Sequence, residues 1–376
     1  MRNTLLVSLQ FPPDFGGVQT YLYEIARRIP SDQLTVLAPQ TVSNEDPKNV
    51  NIVRKKFITR LIWPRWIPLL ISMVLQVRRS KISLILAAQI LPVGTAAYII
   101  RKLFNIPYAV FTHGMDITIP LAKSRKRRLA TRILKNAEVI FSVSNYTREK
   151  VLSMGINPEK VIILKPCIDL KSIIQPTDDE IETIRKKYAV TGKPILLTVA
   201  RLVKRKGHEL VLKSISKLIE EFPSLQYIIV GDGPEANNID TCISSLHLSN
   251  NVVRTSEIDD RVLHALYELC DIFVFTPTHE DNETDVEGFG IVYHEAMAHR
   301  KPVVASRTGG VPDAVGQSSG IIVQQNNVEE ITQAIRILSS DPIQRQKFGE
   351  NGFKYVSSRL WDKEMLPLFK VLNRRI

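Results

Sequence analysis

Short apolar runs alternate with amphipathic stretches along most of the 376 residues. A short apolar run bounded by turn residues is typical of a buried strand, whereas apolar positions at helical spacing indicate an amphipathic helix. In the first half this pattern predicts helices such as Val18–Ile29 and Ala122–Lys135. The predicted strands lie between the helices, at residues 4–9, 33–38, 50–54, 83–87, 108–112, 138–142 and 161–164.

A polar stretch at Asp169–Asp179 has the composition of a domain boundary, and the pattern restarts after it. A helix is predicted from Gly207, with strands at residues 195–200, 226–231, 252–254, 272–276, 302–306 and 320–323. Alternation of strand and helix predicts parallel sheets with helices on both faces. We therefore expect an α/β chain of two doubly wound domains facing each other across a cleft. Their predicted bounds are 1–170 and 171–356, with 357–376 as a helix that packs back on the first domain.

The composition, 44% apolar and 23% charged, is that of a soluble globular protein. The apolar run Leu5–Leu9 is short and has no small-residue cleavage site behind it, so we predict a first strand there and not a signal peptide. The three cysteines, Cys167, Cys242 and Cys270, are widely spaced and match no metal-ligand pattern. These features favour a reduced, cytoplasmic protein.

The net charge of +12 is concentrated in one part of the chain. Residues 47–137 contain 18 Lys or Arg and a single acid, Asp116, whereas residues 1–46 carry a net charge of −2 and residues 138–376 one of −3. Such asymmetry points to a polyanionic surface as partner. We expect an anionic membrane surface, on the inner face of the cell membrane. Nucleic acid is disfavoured, because no recognised nucleic-acid-binding module accompanies the charge.

Residues 54–81 and 123–128 are the segments predicted to meet the membrane. The first is too short to span a bilayer and contains prolines. Tryptophans beside arginines suit an interfacial helix, although Trp63 and Trp66 would also suit a core. Each Lys or Arg near an anionic leaflet contributes roughly 1 kcal/mol to binding. The segments together would therefore hold the protein at the membrane.

Two loops that follow predicted strands are suited to phosphate groups. Gly16 and Gly17 open the first helix, where free N–H groups and the positive helix end favour an anion, although a plain tight turn could contain the same residues. The loop Val199–Gly207 contains four Lys or Arg within six residues. Arg offers a planar fork to phosphate oxygens and Lys a point charge, whereas the alternative is a solvated basic loop. A further turn, Gly231–Pro234, indicates by itself only a close backbone approach.

Residues 285–298 (Asp-Val-Glu-Gly-Phe-Gly-Ile-Val-Tyr-His-Glu-Ala-Met-Ala) carry the strongest signal. Glu287 is predicted on a loop and Glu295 about two turns into the following helix. If residues 288–290 open that helix, its free N–H groups can meet a diphosphate or sugar hydroxyls. Carboxylates accept hydrogen bonds from such hydroxyls, as acidic residues do from ribose. Two solvated helix charges are the alternative, which would explain neither these glycines nor the second glycine cluster at 308–313.

The spacing of Glu287 and Glu295 resembles the Glu-x7-Glu signature of glycosyltransferase family 4, whose members have the GT-B fold of two Rossmann-like domains. The similarity covers nearly the whole chain, and Asp285–Tyr293 with Ala200–Gly207 is most similar to bacterial phosphatidylinositol-mannoside mannosyltransferases. The other motifs that carry the resemblance are Phe11–Gly17, Thr112–Gly114, Val143–Thr147 and Gly231–Pro234.

The resemblance implies a retaining hexosyltransferase that uses a nucleotide diphosphate sugar, with mannose from GDP-mannose as the favoured donor. The acceptor would be a hydroxyl of a lipid-linked molecule or a glycan. It implies no metal and no further cofactor, and the adjacent acids Asp259 and Asp260 have no evident companion ligands.

The same resemblance implies roles for individual residues. Arg201 and Lys206 would bind the donor diphosphate and stabilise the leaving nucleotide, helped by N–H groups at Gly16 and Gly17. His113 would lie beside the transferred sugar. Together with Glu287, the residues His113, Arg201 and Lys206 form the implied catalytic set.

Glu295 is implied to hold the ribose hydroxyls, and Glu287 the transferred sugar. Ile258 aligns with the position that flanks the base. The implied donor site is completed by Gly231, Gly288, Phe289, Gly290 and Ile291.

The chain departs from the family pattern at several positions. Asp313 replaces the usual Glu of the Gly-Gly-Val-Pro-Glu motif, and Met115 and Asp116 replace the His-Glu of similar proteins. The acidic stretch 279–284 stands where relatives are often glycine-rich, and we expect donor choice to be determined there.

Several alternatives remain open at this stage. A UDP-sugar-dependent glucosyl or N-acetylglucosaminyl transferase would share the fold, as would a sugar-nucleotide epimerase. Glycogen synthases of similar fold carry a Lys in the N-terminal glycine loop, which Gly16 and Gly17 lack. A non-catalytic, basic membrane-binding protein would need neither the glutamate pair nor the phosphate loop.

Overall fold

Residue contacts in the computed structural model divide the chain into two units, Met1–Pro166 together with Asp362–Ile376, and Cys167–Trp361. The structure describes residues 1–14, 16–41, 46–60, 62–256, 258–279 and 284–374. The sequence boundaries at residues 170 and 356 lie four and five residues from the limits of the second unit.

The N-terminal unit is built on a parallel sheet whose strands are short apolar runs. Among the described residues they are β1 (Thr4–Val7), β2 (Leu34–Pro39), β3 (Asn51–Lys55), β4 (Leu84–Ala87), β5 (Tyr108–Thr112), β6 (Val139–Ser142) and β7 (Val161–Ile163). Their order is β3-β2-β1-β4-β5-β6-β7. The chain therefore reverses its direction of winding beside β1, and ligands of open α/β sheets bind at such a switch point.

Helices cover this sheet, and one side of it forms a single apolar core. The helices are α1 (Gly17–Ala26), α2 (Ile67–Arg79), α3 (Thr95–Phe104), α4 (Met115–Leu121), α5 (Ser124–Asn136) and α6 (Asn145–Leu152). Buried residues of α2, α3 and α5, such as Met73, Ile100 and Ile133, belong to one cluster with Val7 and Val110 of the sheet. Since α3 contacts both α2 and α5, the outer sides of these three helices form one surface.

The C-terminal unit repeats the architecture. Its described strands are β8 (Ile195–Val199), β9 (Gln226–Val230), β10 (Val252–Thr255), β11 (Ile272–Phe275), β12 (Val303–Arg307) and β13 (Gly320–Gln324), in the parallel order β10-β9-β8-β11-β12-β13. The switch point lies at β8, which pairs with both β9 and β11. Loops that follow β8 and β11 therefore leave the sheet side by side.

The remaining helices cover this second sheet and complete the chain. They are α7 (Asp178–Lys187), α8 (His208–Ser216), α9 (Ala236–Ser245), α10 (Asp260–Leu269), α11 (Ile291–Ala298), α12 (Val311–Val315), α13 (Val328–Ser340), α14 (Pro342–Ser357), α15 (Trp361–Glu364) and α16 (Leu366–Leu372). By its contacts α16 belongs to the N-terminal unit, where the N–H of Arg2 donates to the carbonyl of Leu372 at 2.7 Å.

The predicted fold class is confirmed, and a strand lies at every predicted position. The helix predicted over Ala122–Lys135 is α5, which begins two residues later than predicted because Lys123 has an extended backbone that separates it from α4. The motif Val143–Thr147 has a structural explanation: Ser144 and Thr147 form a capping box at the start of α6.

The two tryptophans of residues 54–81 differ in environment. Trp63 is 84% exposed, whereas Trp66 packs against the apolar core of the N-terminal unit. In the part of the chain that the structure describes, no helix combines the length and apolar character needed to cross a bilayer.

Candidate active site

The start of α11 fixes the positions of the two glutamates. Gly290 precedes the helix with φ 93°, and a Cβ there would lie 2.7 Å from the Tyr293 ring. A helix cannot extend through this left-handed backbone, so it begins at Ile291. Glu295 therefore lies about one turn into the helix, and the predicted two turns were wrong. Glu287 lies on the preceding loop, as predicted.

Four charged side chains meet where the loops after β8 and β11 adjoin. Lys206 Nζ lies 2.6 Å from Glu287 Oε2, and Arg205 Nη1 lies 3.1 Å from the same oxygen. Arg205 Nε lies 2.5 Å from Asp285 Oδ1. We call Arg205, Lys206, Asp285 and Glu287 the ion-pair cluster. Lys206 and Glu287 are each 14% exposed, so their attraction is only weakly screened by water.

The cluster keeps Glu287 ionised with one oxygen available. Burial alone would raise the pKa of Glu287, but the attraction of Lys206 and Arg205 outweighs it, and the pKa lies below its usual value. Both cations bond to Oε2, and no hydrogen bond to Oε1 is recorded among the described residues. A carboxylate oxygen with unused acceptor capacity can accept a hydrogen bond from a sugar hydroxyl.

The second glycine cluster holds the backbone of Glu287. The N–H of Gly310 donates to the Glu287 carbonyl at 2.9 Å. Gly309 has φ 50°, and a Cβ there would lie 2.2 Å from that carbonyl oxygen, so a side chain would push the two loops apart. Residues 308–310 therefore help to hold the backbone of the Glu287 loop in position.

Arg201 occupies the other end of the loop after β8. It is exposed, and its guanidinium has no ion-pair or hydrogen-bond partner recorded within the described ranges. An unpaired cation at the carboxyl end of a central strand is available to an anionic ligand. Gly231, after β9, uses its N–H within the protein, donating to the Thr255 carbonyl at 2.8 Å.

Glu295 has a different environment from Glu287. Its Oε2 accepts a hydrogen bond of 2.8 Å from the hydroxyl of Tyr267 on α10. Burial raises the pKa of Glu295, and the Tyr267 hydrogen bond opposes that rise. Ile258 is half-buried and lies just before α10, so the predicted base and ribose contacts belong to adjoining segments.

Gly288, Phe289 and Ile291 surround the start of α11. The side chain of Phe289 is buried and packs edge-to-face on His294 with ring centroids 5.1 Å apart. Phe289 can therefore offer a ligand only its backbone. Gly288 is buried and Ile291 is half-buried.

The predicted residues of the N-terminal unit lie at the ends of β1 and β5. Gly16 caps α1, which begins at Gly17. His113 directly follows β5 and packs between Phe111 and Tyr21, with centroid distances of 6.5 and 5.6 Å. Burial lowers the pKa of His113 to about 4, against an opposing hydrogen bond with the Ala88 backbone, so the imidazole is neutral at pH 7.

Asp116 fixes the backbone beside His113. Its Oδ1 accepts hydrogen bonds from the N–H groups of His113 and Gly114, at 2.8 and 2.9 Å. Burial raises the pKa of Asp116 to about 6, although these backbone hydrogen bonds lower it. The departure from the family pattern at this position therefore has a definite local role.

Direct contacts join only some of the predicted site residues. Lys206 and Glu287 form an ion pair, whereas among the described residues no ion pair or side-chain hydrogen bond joins Arg201, Ile258 or Glu295 to the ion-pair cluster. The acidic segment predicted to determine donor choice lies largely outside the described residues, which include only its ends, His279 and Thr284.

The sequence prediction omitted three residues that position the site: Arg205, Asp285 and Tyr267. The complementary charges of Arg205-Lys206 and Asp285-x-Glu287 could have predicted the ion pairs between them. The sequence gives no such indication for Tyr267, because a tyrosine on an apolar helix face has the pattern of a core residue.

Two family models match the chain. Residues 180–355 match the model described as glycosyl transferases group 1, and residues 15–172 match that of glycosyltransferase family 4. The first range contains the ion-pair cluster and Glu295, and the second contains Gly16, Gly17 and His113.

Individual relatives extend over nearly the whole chain. A GDP-mannose-dependent α-(1-6)-phosphatidylinositol monomannoside mannosyltransferase of Mycolicibacterium smegmatis is 29% identical over 93% of this chain and 92% of its own. A GDP-mannose-dependent monoacylated α-(1-6)-phosphatidylinositol monomannoside mannosyltransferase of Corynebacterium glutamicum is 26% identical over 97% of this chain and 96% of its own.

Among solved structures, Anabaena HepE in complex with UDP and glucose superposes with a TM-score of 0.83, at 20% identity and with both chains fully covered. This likeness concerns the fold. With both family models matched in order and glutamates in the family spacing, the chain belongs to glycosyltransferase family 4 and is a glycosyltransferase of the GT-B fold.

Proposed function

We propose that this protein transfers mannose from GDP-mannose, with retention of configuration, to a hydroxyl group of a lipid-linked acceptor or glycan. The observation that supports it most is the ion-pair cluster, in which Glu287 keeps one oxygen for a sugar hydroxyl beside Lys206. The preference for GDP-mannose rests on the mycolicibacterial and corynebacterial relatives, whose names give that donor.

In the proposed reaction the bond between the anomeric carbon and the diphosphate oxygen breaks, and a bond to the acceptor oxygen forms on the same face. The departing phosphate oxygen takes the proton of the acceptor hydroxyl. Negative charge therefore grows on the diphosphate as the transition state is reached. Arg201 and Lys206 stabilise that charge more than they stabilise the bound donor, which is the condition for raising the rate.

The resemblance implies the proposed division of labour between the two glutamates, and their different environments support it. Glu287 holds the sugar through Oε1, and the backbone at Phe289 and Gly290 assists it. Glu295 accepts hydrogen bonds from the ribose. His113 is neutral and contacts the sugar as a hydrogen-bonding group, not as a cation.

We propose that the transfer needs no metal ion, since Arg201 and Lys206 supply positive charge for the diphosphate. Activity that EDTA abolishes and Mn²⁺ restores would contradict this part of the proposal.

The main alternative is a UDP-sugar donor, and HepE binds UDP and glucose on the same fold. A sugar-nucleotide epimerase would convert the donor without an acceptor, and analysis of the products separates it from a transferase. A non-catalytic protein would not need a buried ion pair whose carboxylate keeps one oxygen free of these cations, because such pairs contribute little net stability.

Thermal unfolding with a panel of nucleotide sugars tests the donor. A ligand that binds the folded state alone raises its stability by about 2.7 kcal/mol at one hundred times its Kd. We expect GDP-mannose and GDP to raise the melting temperature, and UDP-glucose and UDP-N-acetylglucosamine to leave it unchanged. A rise with UDP sugars and none with GDP sugars would overturn the mannosyl assignment but keep the glycosyltransferase.

We also propose that the protein works at the cytoplasmic face of an anionic membrane. The outer sides of α2, α3 and α5 carry cations and apolar side chains together, and we call this surface the basic face. Its exposed residues include Trp63 before α2, and Ile71, Leu75, Arg78, Arg79, Lys102, Leu103, Arg125, Lys126 and Leu129 on the helices. Cations beside exposed apolar groups suit the headgroup region of a bilayer.

A further inference from the structure

Tyr267 is a fully buried tyrosine whose hydroxyl donates to the predicted ribose ligand. It lies on α10, and its donor–acceptor distance to Glu295 Oε2 on α11 is 2.8 Å. No other hydrogen bond to the Glu295 carboxylate is recorded in the described part of the chain. An ionised carboxylate can accept about four hydrogen bonds, so most of its capacity is unused.

A second contact network holds Tyr267 in place. Its ring stacks on His299, with centroids 5.4 Å apart and planes 9° apart. His299 Nδ1 lies 2.6 Å from Glu268 Oε1, and His299 Nε2 lies 2.7 Å from His264 Nδ1. Because His299 is fixed from both sides, the tyrosine ring has little freedom to move its hydroxyl away from Glu295.

From this geometry we infer that Tyr267 is a positioning residue for the nucleotide ribose, acting through the Glu295 carboxylate. The inference rests on the proposed role of Glu295. Tyr267 holds Oε2 and so sets the direction in which the remaining acceptor sites point. The vicinal 2′- and 3′-hydroxyls of a ribose are two adjacent donors that such a carboxylate can satisfy together.

Electrostatics supports the same assignment. Burial favours the protonated form of Glu295, and the hydrogen bond from Tyr267 and the proximity of His299 oppose burial. Hydrogen bonds to an ionised group are stronger than those between neutral groups. Tyr267 therefore helps to keep Glu295 in the acceptor-only form that two hydroxyl donors require.

The inference predicts how Tyr267→Phe changes discrimination between GDP and 2′,3′-dideoxy-GDP. Wild type should bind GDP at least about tenfold more tightly than 2′,3′-dideoxy-GDP, since losing hydrogen bonds to a charged group has at least that effect on affinity. In Tyr267→Phe the ratio of the two Kd values, measured by calorimetry, should fall to within about twofold of unity, because GDP loses affinity and the dideoxy analogue does not.

Tyr227→Phe is the matched control. Tyr227 is also fully buried in the C-terminal unit, but its hydroxyl donates to Thr198 Oγ1 at 2.8 Å. This control should keep the wild-type ratio even if it lowers the melting temperature. Each ratio compares two ligands on one variant, so a partly unfolded sample does not change it.

Glu295→Gln separates the possible failures. If Glu295→Gln abolishes the discrimination and Tyr267→Phe keeps it, the inference about Tyr267 is overturned and the proposed ribose role of Glu295 survives. If wild type binds GDP and its dideoxy analogue equally well, and UDP and dideoxy-UDP equally well, the ribose role itself is overturned. A collapsed ratio in both variants and an unchanged one in Tyr227→Phe supports the inference.

Discussion

At the scale of single residues, replacing Arg201 tests the proposed chemistry most directly. Arg201→Ala should lower kcat/KM by about 10²–10³-fold, the effect of removing one preorganised donor to a developing charge. Its melting temperature should stay close to wild type, because the side chain is exposed and makes no ion pair within the described ranges. Initial rates with the donor that the panel identifies measure the first effect, and thermal unfolding measures the second.

Lys204 provides the control for Arg201, since it is an exposed cation of the same loop and lies outside the proposed site. Lys204→Ala should leave the rate nearly unchanged. An Arg201→Ala enzyme with near-normal turnover would remove Arg201 from the mechanism.

The ion-pair cluster predicts a large loss of stability on removing Glu287. Glu287→Ala leaves Arg205 and Lys206 close together without their shared carboxylate, and breaking a buried pair in this way costs about 3–5 kcal/mol. Glu209→Ala is the matched control, because its pair with Lys213 is 59% and 48% exposed and such helix pairs contribute about 0.3–0.5 kcal/mol. Urea unfolding gives both values. Equal losses of stability in the two variants would contradict the buried ion pairing of Glu287.

At this scale the sequence predicts which residue types form the site but not all of their partners. Glu287 and Lys206 were predicted because glycines and clustered charge surround them. Arg205 and Tyr267 were missed because their contacts lie 82 and 28 residues away along the chain, and only the pairing of β8 with β11 and the packing of α10 on α11 create them.

Whole elements are more predictable than their ends. The inner parallel strands are buried on both faces, so their apolar runs are unambiguous, and each predicted strand of both sheets is present, including the more exposed edge strands β3 and β10. Helix boundaries depend on single backbone angles, such as φ 93° at Gly290 and the extended Lys123 before α5, which the apolar pattern does not encode.

Helix α4 gives a prediction about pH. The pKa of Asp116 in its first turn is raised by burial from 3.8 to about 6, so the folded protein holds this proton more tightly than the unfolded chain. The resulting stability is fully present below pH 3.8 and is lost as the pH rises through about 6. Asp116→Asn keeps an acceptor oxygen for the two N–H groups and removes the charge.

Asp116→Asn should therefore gain stability relative to wild type between pH 4.5 and pH 7.5, by up to about 3 kcal/mol for a shift of about two pKa units. Melting temperatures of both proteins across that range measure it. If the melting temperatures of the two proteins changed with pH in parallel, burial would not be what sets the pKa of Asp116.

At the scale of the whole molecule, charge and topology combine in a way that neither shows alone. The excess of +17 over residues 47–137 was evident from the sequence. That the cations of α2, α3 and α5 belong to neighbouring helices was not, because these helices are separated along the chain and become neighbours only through the strand order β3-β2-β1-β4-β5-β6. Trp63 is exposed just before α2, whereas Trp66 packs against the core, a difference that the sequence did not show.

The basic face predicts binding to phosphatidylglycerol vesicles that weakens with salt. The wild type should sediment with them at 0.1 M salt and be largely released at 1 M, where the Debye length falls from about 10 Å to about 3 Å. Replacing Arg125 and Lys126 with Gln should lower the affinity about tenfold or more, since each cation contributes roughly 1 kcal/mol.

Replacing Lys186 and Lys187, exposed cations of α7 in the other unit, removes the same charge and should have little effect. Equal losses from the two double variants would mean that net charge alone drives binding, and tighter binding to duplex DNA than to vesicles would make nucleic acid the partner.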